Sequence, residues 1–200
     1  MKLGVLVSGE GTNLQALIDA QVAGDLAPGE IVVVLSNNPG APALARATAA
    51  GIRAEVVDHR GVDRAAFEDQ VIAALDVAGV EAVVLAGFMR VLTPHFIARY
   101  PHRIVNTHPS LLPAFAGKDA IPQALTHGAK ITGVTIHFVD TSLDGGPIIA
   151  QESVPIVEDD DEATIRARIQ HLEHRLLPVV VRRLAAGKLV CEGRIVRRAE

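Results

Sequence analysis

The sequence predicts an α/β fold: a doubly wound, mostly parallel sheet with an antiparallel C-terminal extension. Three observations lead there. Runs rich in Val and Ile alternate with Ala-rich helical stretches over residues 1–108, the signature of strand–helix–strand units. The runs are apolar nearly throughout, as in strands buried on both faces of a parallel sheet. Beyond about residue 110 the alternation gives way to two longer strand-like runs joined by a turn-rich loop, the arrangement of an antiparallel pair.

Taken in order, the strands of the parallel part are Leu3–Val7, Ile31–Leu35, Ala54–Val57, Ala82–Ala86 and Arg103–Thr107. The helices between them are Asn13–Ala23, Pro42–Ala50, Asp63–Ala78 and Pro94–Arg99. A short helix follows near Ala120–His127, with Asp119 placed to cap it. Lys130–Val139 and Pro147–Pro155 are the longer strands, with the loop Asp140–Gly146 between them. Asp160–Gly187 reads as one long amphipathic helix or two, interrupted near Pro178, because an internal proline removes a helix hydrogen bond. The tail Lys188–Val196 reads as an edge strand or a hairpin. No repeat, low-complexity tract or linker divides the chain, so residues 1–200 are read as a single domain with two lobes, 1–108 and 109–200.

Composition narrows the function. A chain of 200 residues buries a core without disulfide staples, and 49% hydrophobic with 21% charged residues is a globular balance. The formal net charge of -4 gives no electrostatic ground for nucleic acid. With 3% aromatics and no Trp, rings are too few for a base-stacking platform. The lone Cys191 excludes an internal disulfide and a multi-cysteine zinc site, and it suits a reduced cytoplasm. The apolar N-terminal run is too short for a leader or a membrane span. The expectation is a cytoplasmic protein with no nucleic-acid or membrane partner.

Ligands of doubly wound sheets bind beyond the carboxyl ends of the strands, and two distinctive segments fall there. In Ile104-Val105-Asn106-Thr107-His108-Pro109, Asn106 and His108 are two apart on a strand and so share a face. Pro109 keeps His108 extended. An amide donor beside an imidazole suits stabilising an oxyanion while managing a proton; a polar strand end in a solvated loop accounts for the same residues. Ser8-Gly9-Glu10-Gly11-Thr12-Asn13 joins the first strand to the first helix. Its glycines and the helix amides suit a phosphate, and a side chain at Gly11 is expected to block the anion's approach. The other reading is a plain glycine turn with Thr12 or Asn13 as cap. A dinucleotide is disfavoured, since Leu14 stands where the third fingerprint glycine belongs.

Leu85-Ala86-Gly87-Phe88-Met89-Arg90-Val91-Leu92 suits an apolar pocket with Arg90 at its mouth, or a core strand running into a helix cap. Asp144, before two glycines, is a turn former, or a partner that keeps His108 charged if the loop folds over the strand ends. His171 and His174 lack the partners of a metal site and read as a solvated helix face.

Together these segments, with Ser36-Asn37 and Asp144-x-Gly146-Pro147-Ile148-Ile149-x-Gln151, resemble the phosphoribosylglycinamide formyltransferase family in order and separation. The resemblance runs from the N-terminus to about residue 187. It implies a Rossmann-like formyltransferase fold with a nucleotide-binding lobe (1–108) and a folate-site and C-terminal helical lobe (109–200). It also implies transfer of a formyl group from the co-substrate 10-formyltetrahydrofolate to the amine of 5'-phosphoribosylglycinamide, with no metal. The catalytic trio it implies is Asn106, His108 and Asp144. Gly11, Thr12, Asn13, Gln170 and Glu173 would hold the ribonucleotide. Phe88, Met89, Arg90, Val91, Leu92, Asn106, Asp140, Leu143 and Asp144 would hold the folate. Thr12 stands where Ser is frequent and keeps the hydroxyl; Ala116 replaces a frequent Pro.

Two related families share the trio. Methionyl-tRNA formyltransferases usually carry an Arg-rich stretch after the Leu-Leu-Pro, where this chain has Ala114-Phe115-Ala116-Gly117. Formyltetrahydrofolate hydrolases usually have a second His where this chain has Pro109. A non-catalytic phosphometabolite-binding module is a further alternative. The implied partners are small-molecule substrates, in a monomer or a homodimer.

Overall fold

The protein is described, over residues 1–199, from a computed structural model. Nine strands form one sheet in the order β3-β2-β1-β4-β5-β6-β7-β9-β8. The parallel part comprises β1 (Lys2–Val7), β2 (Glu30–Ser36), β3 (Arg53–Val56), β4 (Ala82–Leu85) and β5 (Ile104–His108). Direction reverses at β6 (Ile131–Phe138), which pairs antiparallel with both β5 and β7 (Ile148–Pro155). The hairpin of β8 (Leu189–Glu192) and β9 (Ile195–Arg198) joins the β7 edge through Ile148 and Ile195. This is the predicted architecture, with the tail as a hairpin ending two residues later than expected.

The near-continuous apolar strands are explained by cover on both faces. On one face, α1 (Thr12–Val22), α2 (Pro42–Ala49) and α6 (Glu162–Ala185) bury Leu14, Leu17, Ala43, Leu177 and Val181 against Leu3, Val5 and Val34. On the other, α3 (Arg64–Val77) and α4 (Pro94–Arg99) bury Phe67, Val71 and Phe96 against Leu6, Val33 and Val83. The Asp63 and Thr93 side chains cap α3 and α4 by accepting from the Ala66 and Phe96 amides. α5 (Ala120–Thr126) packs Ile121 onto a third cluster with Val134 and Ile165.

Two local expectations need correction. Helix α6 runs for 24 residues straight through Pro178. The proline forfeits one backbone hydrogen bond, but Leu177, Val180, Val181 and Leu184 are buried on either side of it. Packing of that face outweighs the lost bond. Asp119 does sit at the N-cap position of α5, but with a left-handed backbone (φ 59°) and no capping bond from its side chain.

Candidate active site

The ends of β1, β4 and β5 meet around a cleft of about 320 Å³. Ser8, which follows β1, donates to Asn37 Oδ1 at 2.7 Å and accepts from the Met89 amide at 2.9 Å. One hydroxyl thus ties the glycine turn to the loops after β2 and β4. Gly11 is left-handed (φ 74°) and forms the N-cap of α1 with no side-chain cap. Neither Thr12 nor Asn13 caps the helix, because the helix begins at Thr12 itself. The first turn of α1 therefore opens onto the cleft with its positive dipole end unmasked.

Gly11 is needed for a different reason from the one expected. A Cβ there would point at α2, 2.5 Å from Ala43 Cβ and 2.8 Å from Ala43 Cα. Behind the turn, Arg46 donates through Nε to the Glu10 carbonyl at 2.8 Å.

Gly11, Thr12, Asn13, Gln170 and Glu173 all line this cleft, with Met89, Thr107 and Arg166. Glu173 is buried; it accepts from Asn13 Nδ2 at 3.2 Å and from the Thr107 hydroxyl at 2.9 Å. Burial holds its carboxyl above the usual carboxylate range, although both hydrogen bonds and the charges of His108 and Arg166 pull the other way.

Asn106, His108 and Asp144 do not line the cleft; they gather on the other face of β5. Alternation along the strand puts Thr107 towards α6 and its two neighbours opposite. The loop after β6 folds back to set Asp144 Oδ2 3.4 Å from His108 Nδ1. The same oxygen accepts from the Gly117 amide at 2.8 Å. His108 Nε2 lies 2.9 Å from the Phe115 carbonyl. Each ring nitrogen thus faces an oxygen able to accept a hydrogen bond from the ring.

Asn106 pairs across the strands with His137. His137 Nδ1 donates to the Phe138 carbonyl at 2.9 Å, which leaves Nε2 to accept from Asn106 Nδ2 at 3.3 Å. Burial depresses the His137 pKa, outweighing the Phe138 hydrogen bond and the charge of Asp144. A neutral ring is what this acceptor role requires. It aims the Asn106 amide and leaves its second N–H unspent.

The other expected residues divide in two. Met89, Val91 and Leu143 are 74, 60 and 59% exposed, and Leu143 lies in the loop that carries Asp144. Phe88 packs against the α3 and α4 side of the core, and Leu92 is buried within it. Arg90 stacks its guanidinium 4.8 Å from the centre of the Phe67 ring and not at a pocket mouth. The loop after β4 is held by Arg64 Nη2, which donates to the Val91 carbonyl, and by Glu68, which accepts from the Thr93 amide at 2.8 Å. Asp140 accepts from the Ser142 amide at 2.9 Å, shaping the loop that carries Asp144.

Sequence reasoning passes over Thr107 and Arg64 as site-building residues. It reads Ser8 only as part of the glycine turn, and His137, in the middle of an apolar strand, as a hydrogen-bonded core histidine or a support to the site. Among the described residues no three His, Cys, Asp or Glu side chains are grouped to hold a metal, and no helix is long and apolar enough to cross a membrane.

Comparison with known proteins agrees with this fold. Residues 1–181 match the formyl transferase family. The chain is 42% identical to the phosphoribosylglycinamide formyltransferase of Escherichia coli (strain K12), covering 94% of this chain and 89% of that protein. It is 44% identical to the trifunctional purine biosynthetic protein adenosine-3 of Drosophila melanogaster, covering 93% of this chain but spanning only 14% of that longer protein. Among solved structures, glycinamide ribonucleotide transformylase 1 from Symbiobacterium toebii superposes with a TM-score of 0.97 at 45% identity, over 100% of this chain and 94% of that one. A formyltetrahydrofolate deformylase from Pseudomonas syringae pv. tomato superposes at 0.93 with 25% identity, over 100% of this chain and 66% of that one. With its first 181 residues matched and its relatives aligned over nearly its whole length, the chain belongs to the formyl transferase family.

Proposed function

We propose that the protein transfers the formyl group of 10-formyltetrahydrofolate to the amine of 5'-phosphoribosylglycinamide, a step of purine biosynthesis. The observation that carries this reading is Asp144 lying 3.4 Å from His108, beside the aimed amide of Asn106, at the strand end next to an open helix N-terminus. In this reading the ribonucleotide's phosphate binds the amides of Gly11–Asn13, and Gln170 and Glu173 hold its ribose end. The folate lies along the apolar surface of Met89, Val91 and Leu143, between the loop after β4 and the loop Asp140–Asp144.

The neutral amine attacks the formyl carbon, and charge grows on the formyl oxygen. Asn106 and the doubly protonated His108 donate to that oxygen; His108 exchanges its bond to Phe115 for this one. The carbon–nitrogen bond to the folate then breaks. The amine gives up one proton and the leaving nitrogen gains one, with Asp144 holding the imidazolium and relaying the proton. Holding both substrates across one strand supplies part of the rate through orientation. The reading places the enzyme in the cytoplasm, with small molecules as its partners and no metal in the scheme.

The test follows the ultraviolet change as formyl-folate loses its formyl group, with and without the ribonucleotide. Turnover only with the ribonucleotide, and a formylated ribonucleotide as product, is the expected outcome. Equal turnover without it would assign the chain to hydrolysis, the reaction named for the Pseudomonas relative. Binding without turnover would make it a phosphometabolite-binding module.

A further inference from the structure

The loop that carries Asp144 is under local constraint. Asp144 itself is left-handed (φ 50°), a conformation with a cost for a residue bearing a Cβ. A Cβ on Gly145 would collide with Ser142, and one on Gly146 with the Phe138 carbonyl. A segment this tight holds its shape only if its far end is tied down.

The tie comes from the last hairpin. Arg194, in the turn between β8 and β9, donates through Nη2 to the Gly145 carbonyl at 2.8 Å. The hairpin is anchored to the sheet by the pairing of Ile195 with Ile148, just beyond the same end of the loop. It lies outside residues 1–181, which carry the family match. Asp144 is thus clamped from two directions: its carboxylate by the Gly117 amide at 2.8 Å, and the Gly145–Gly146 peptide just after it by Arg194.

We infer that Arg194 is a positioning residue, a latch through which the C-terminal hairpin holds the Asp144 loop against His108. The inference rests on the proposed role of Asp144. Arg194 is exposed, so its bond has the ordinary net worth of a hydrogen bond, and its loss lowers the equilibrium constant for holding the acid in place by roughly 2- to 10-fold.

The experiment compares Arg194→Ala and Arg194→Lys with the parent enzyme by steady-state kinetics on both substrates and by amide hydrogen exchange. For Arg194→Ala, turnover falls measurably, by at most that factor, the KM for the ribonucleotide is unchanged and exchange quickens within residues 140–146. Arg194→Lys, which keeps a donor and a charge, recovers part of the turnover. Unchanged exchange in that loop would overturn the latch. Faster exchange with parental turnover would overturn its link to catalysis, as would an equal rise in both KM values. Asp144→Asn is run alongside. If it retains full turnover, or if the parent forms no formylated ribonucleotide, the functional reading fails, while the exchange result still decides whether the latch exists.

Discussion

Gly11→Ala isolates the contribution of the turn before α1, and its size follows from two distances. The new methyl carbon lands 2.5 Å from Ala43 Cβ and 2.8 Å from Ala43 Cα. Carbon atoms rest at about 3.5–4.0 Å, so the turn must move off α2 by roughly 1 Å. The left-handed backbone adds about 1–2 kcal/mol for a residue with a Cβ. Amide–anion bonds formed near 2.9 Å are lost when stretched by ~1 Å, and each is worth about 1.5–3 kcal/mol when the acceptor is charged. Losing one such bond and weakening a second amounts to about 2–4 kcal/mol, or roughly a 30- to 700-fold rise in the KM for the ribonucleotide. The KM for the folate should change by less than about threefold, because two of its three proposed contacts, Val91 and Leu143, lie outside the cleft that Gly11 lines. Steady-state kinetics with each substrate varied in turn is the assay. Adding Ala43→Gly removes one of the two clashing atoms and should restore part of the affinity. Equal rises in both KM values, or no response to the second substitution, would refute the steric argument and the assignment of the phosphate to this turn.

Three further outcomes are expected. Asn106→Ala should lower turnover by ~10²–10³, the usual effect of losing one oxyanion donor, with KM values nearly unchanged. Asp144→Asn should lower it further, since it removes both the imidazolium's partner and the proton relay; near-parental turnover would contradict the scheme. Glu173→Gln should stabilise the ligand-free protein at neutral pH while weakening ribonucleotide binding. A buried carboxyl whose pKa is raised gives stability that is full below the unfolded value and is lost as pH rises through the folded one. The variant's advantage in melting temperature should therefore appear above that window and vanish near pH 4, and an advantage present at every pH would point to packing instead.

Local pattern carried the architecture because each strand and helix is announced by its own run of side chains. Val32-Val33-Val34-Leu35 is apolar whichever way it faces, and that alone implies cover on both sides. The spacing of Asn106 and His108 is equally local, since the two-residue period of a strand decides it. What stayed hidden depends on contacts between distant segments. The course of α6 through Pro178 is settled by what Leu177 and Val181 pack against, and propensity says nothing of that. The direction of a Cβ at Gly11 depends on α2, and the pairing of His137 with Asn106 on the register of β6. Arg194 lies 49 residues from its partner Gly145, in a hairpin whose composition gives no hint of the site.

The division of labour around β5 places an unusual demand on a strand of five residues. Thr107 reaches Glu173 and the cleft beside α1, while Asn106 and His108 face Asp144 on the other side. A slip of one residue would exchange the two faces, turning Asn106 and His108 towards α6 and leaving a threonine before the acid. So short a strand has few ladder bonds of its own to prevent this, and the register is instead pinned from β6 and β7. Thr135, opposite His108, accepts from the Leu112 amide at 3.0 Å and donates to the Ser110 carbonyl at 2.7 Å. Gln151 on β7 reaches the Leu112 carbonyl at 2.8 Å. Gly133 leaves the room into which Leu111 packs, since a Cβ there would lie 2.7 Å from the Leu111 side chain. The segment after His108 is thereby fastened to two neighbouring strands, and the reversal of direction at β6 is what brings both of them within reach. A sheet that stayed parallel would need a long crossover to supply its next strand. The hairpin delivers His137, Thr135 and the Asp144 loop to β5 in one short stretch of chain.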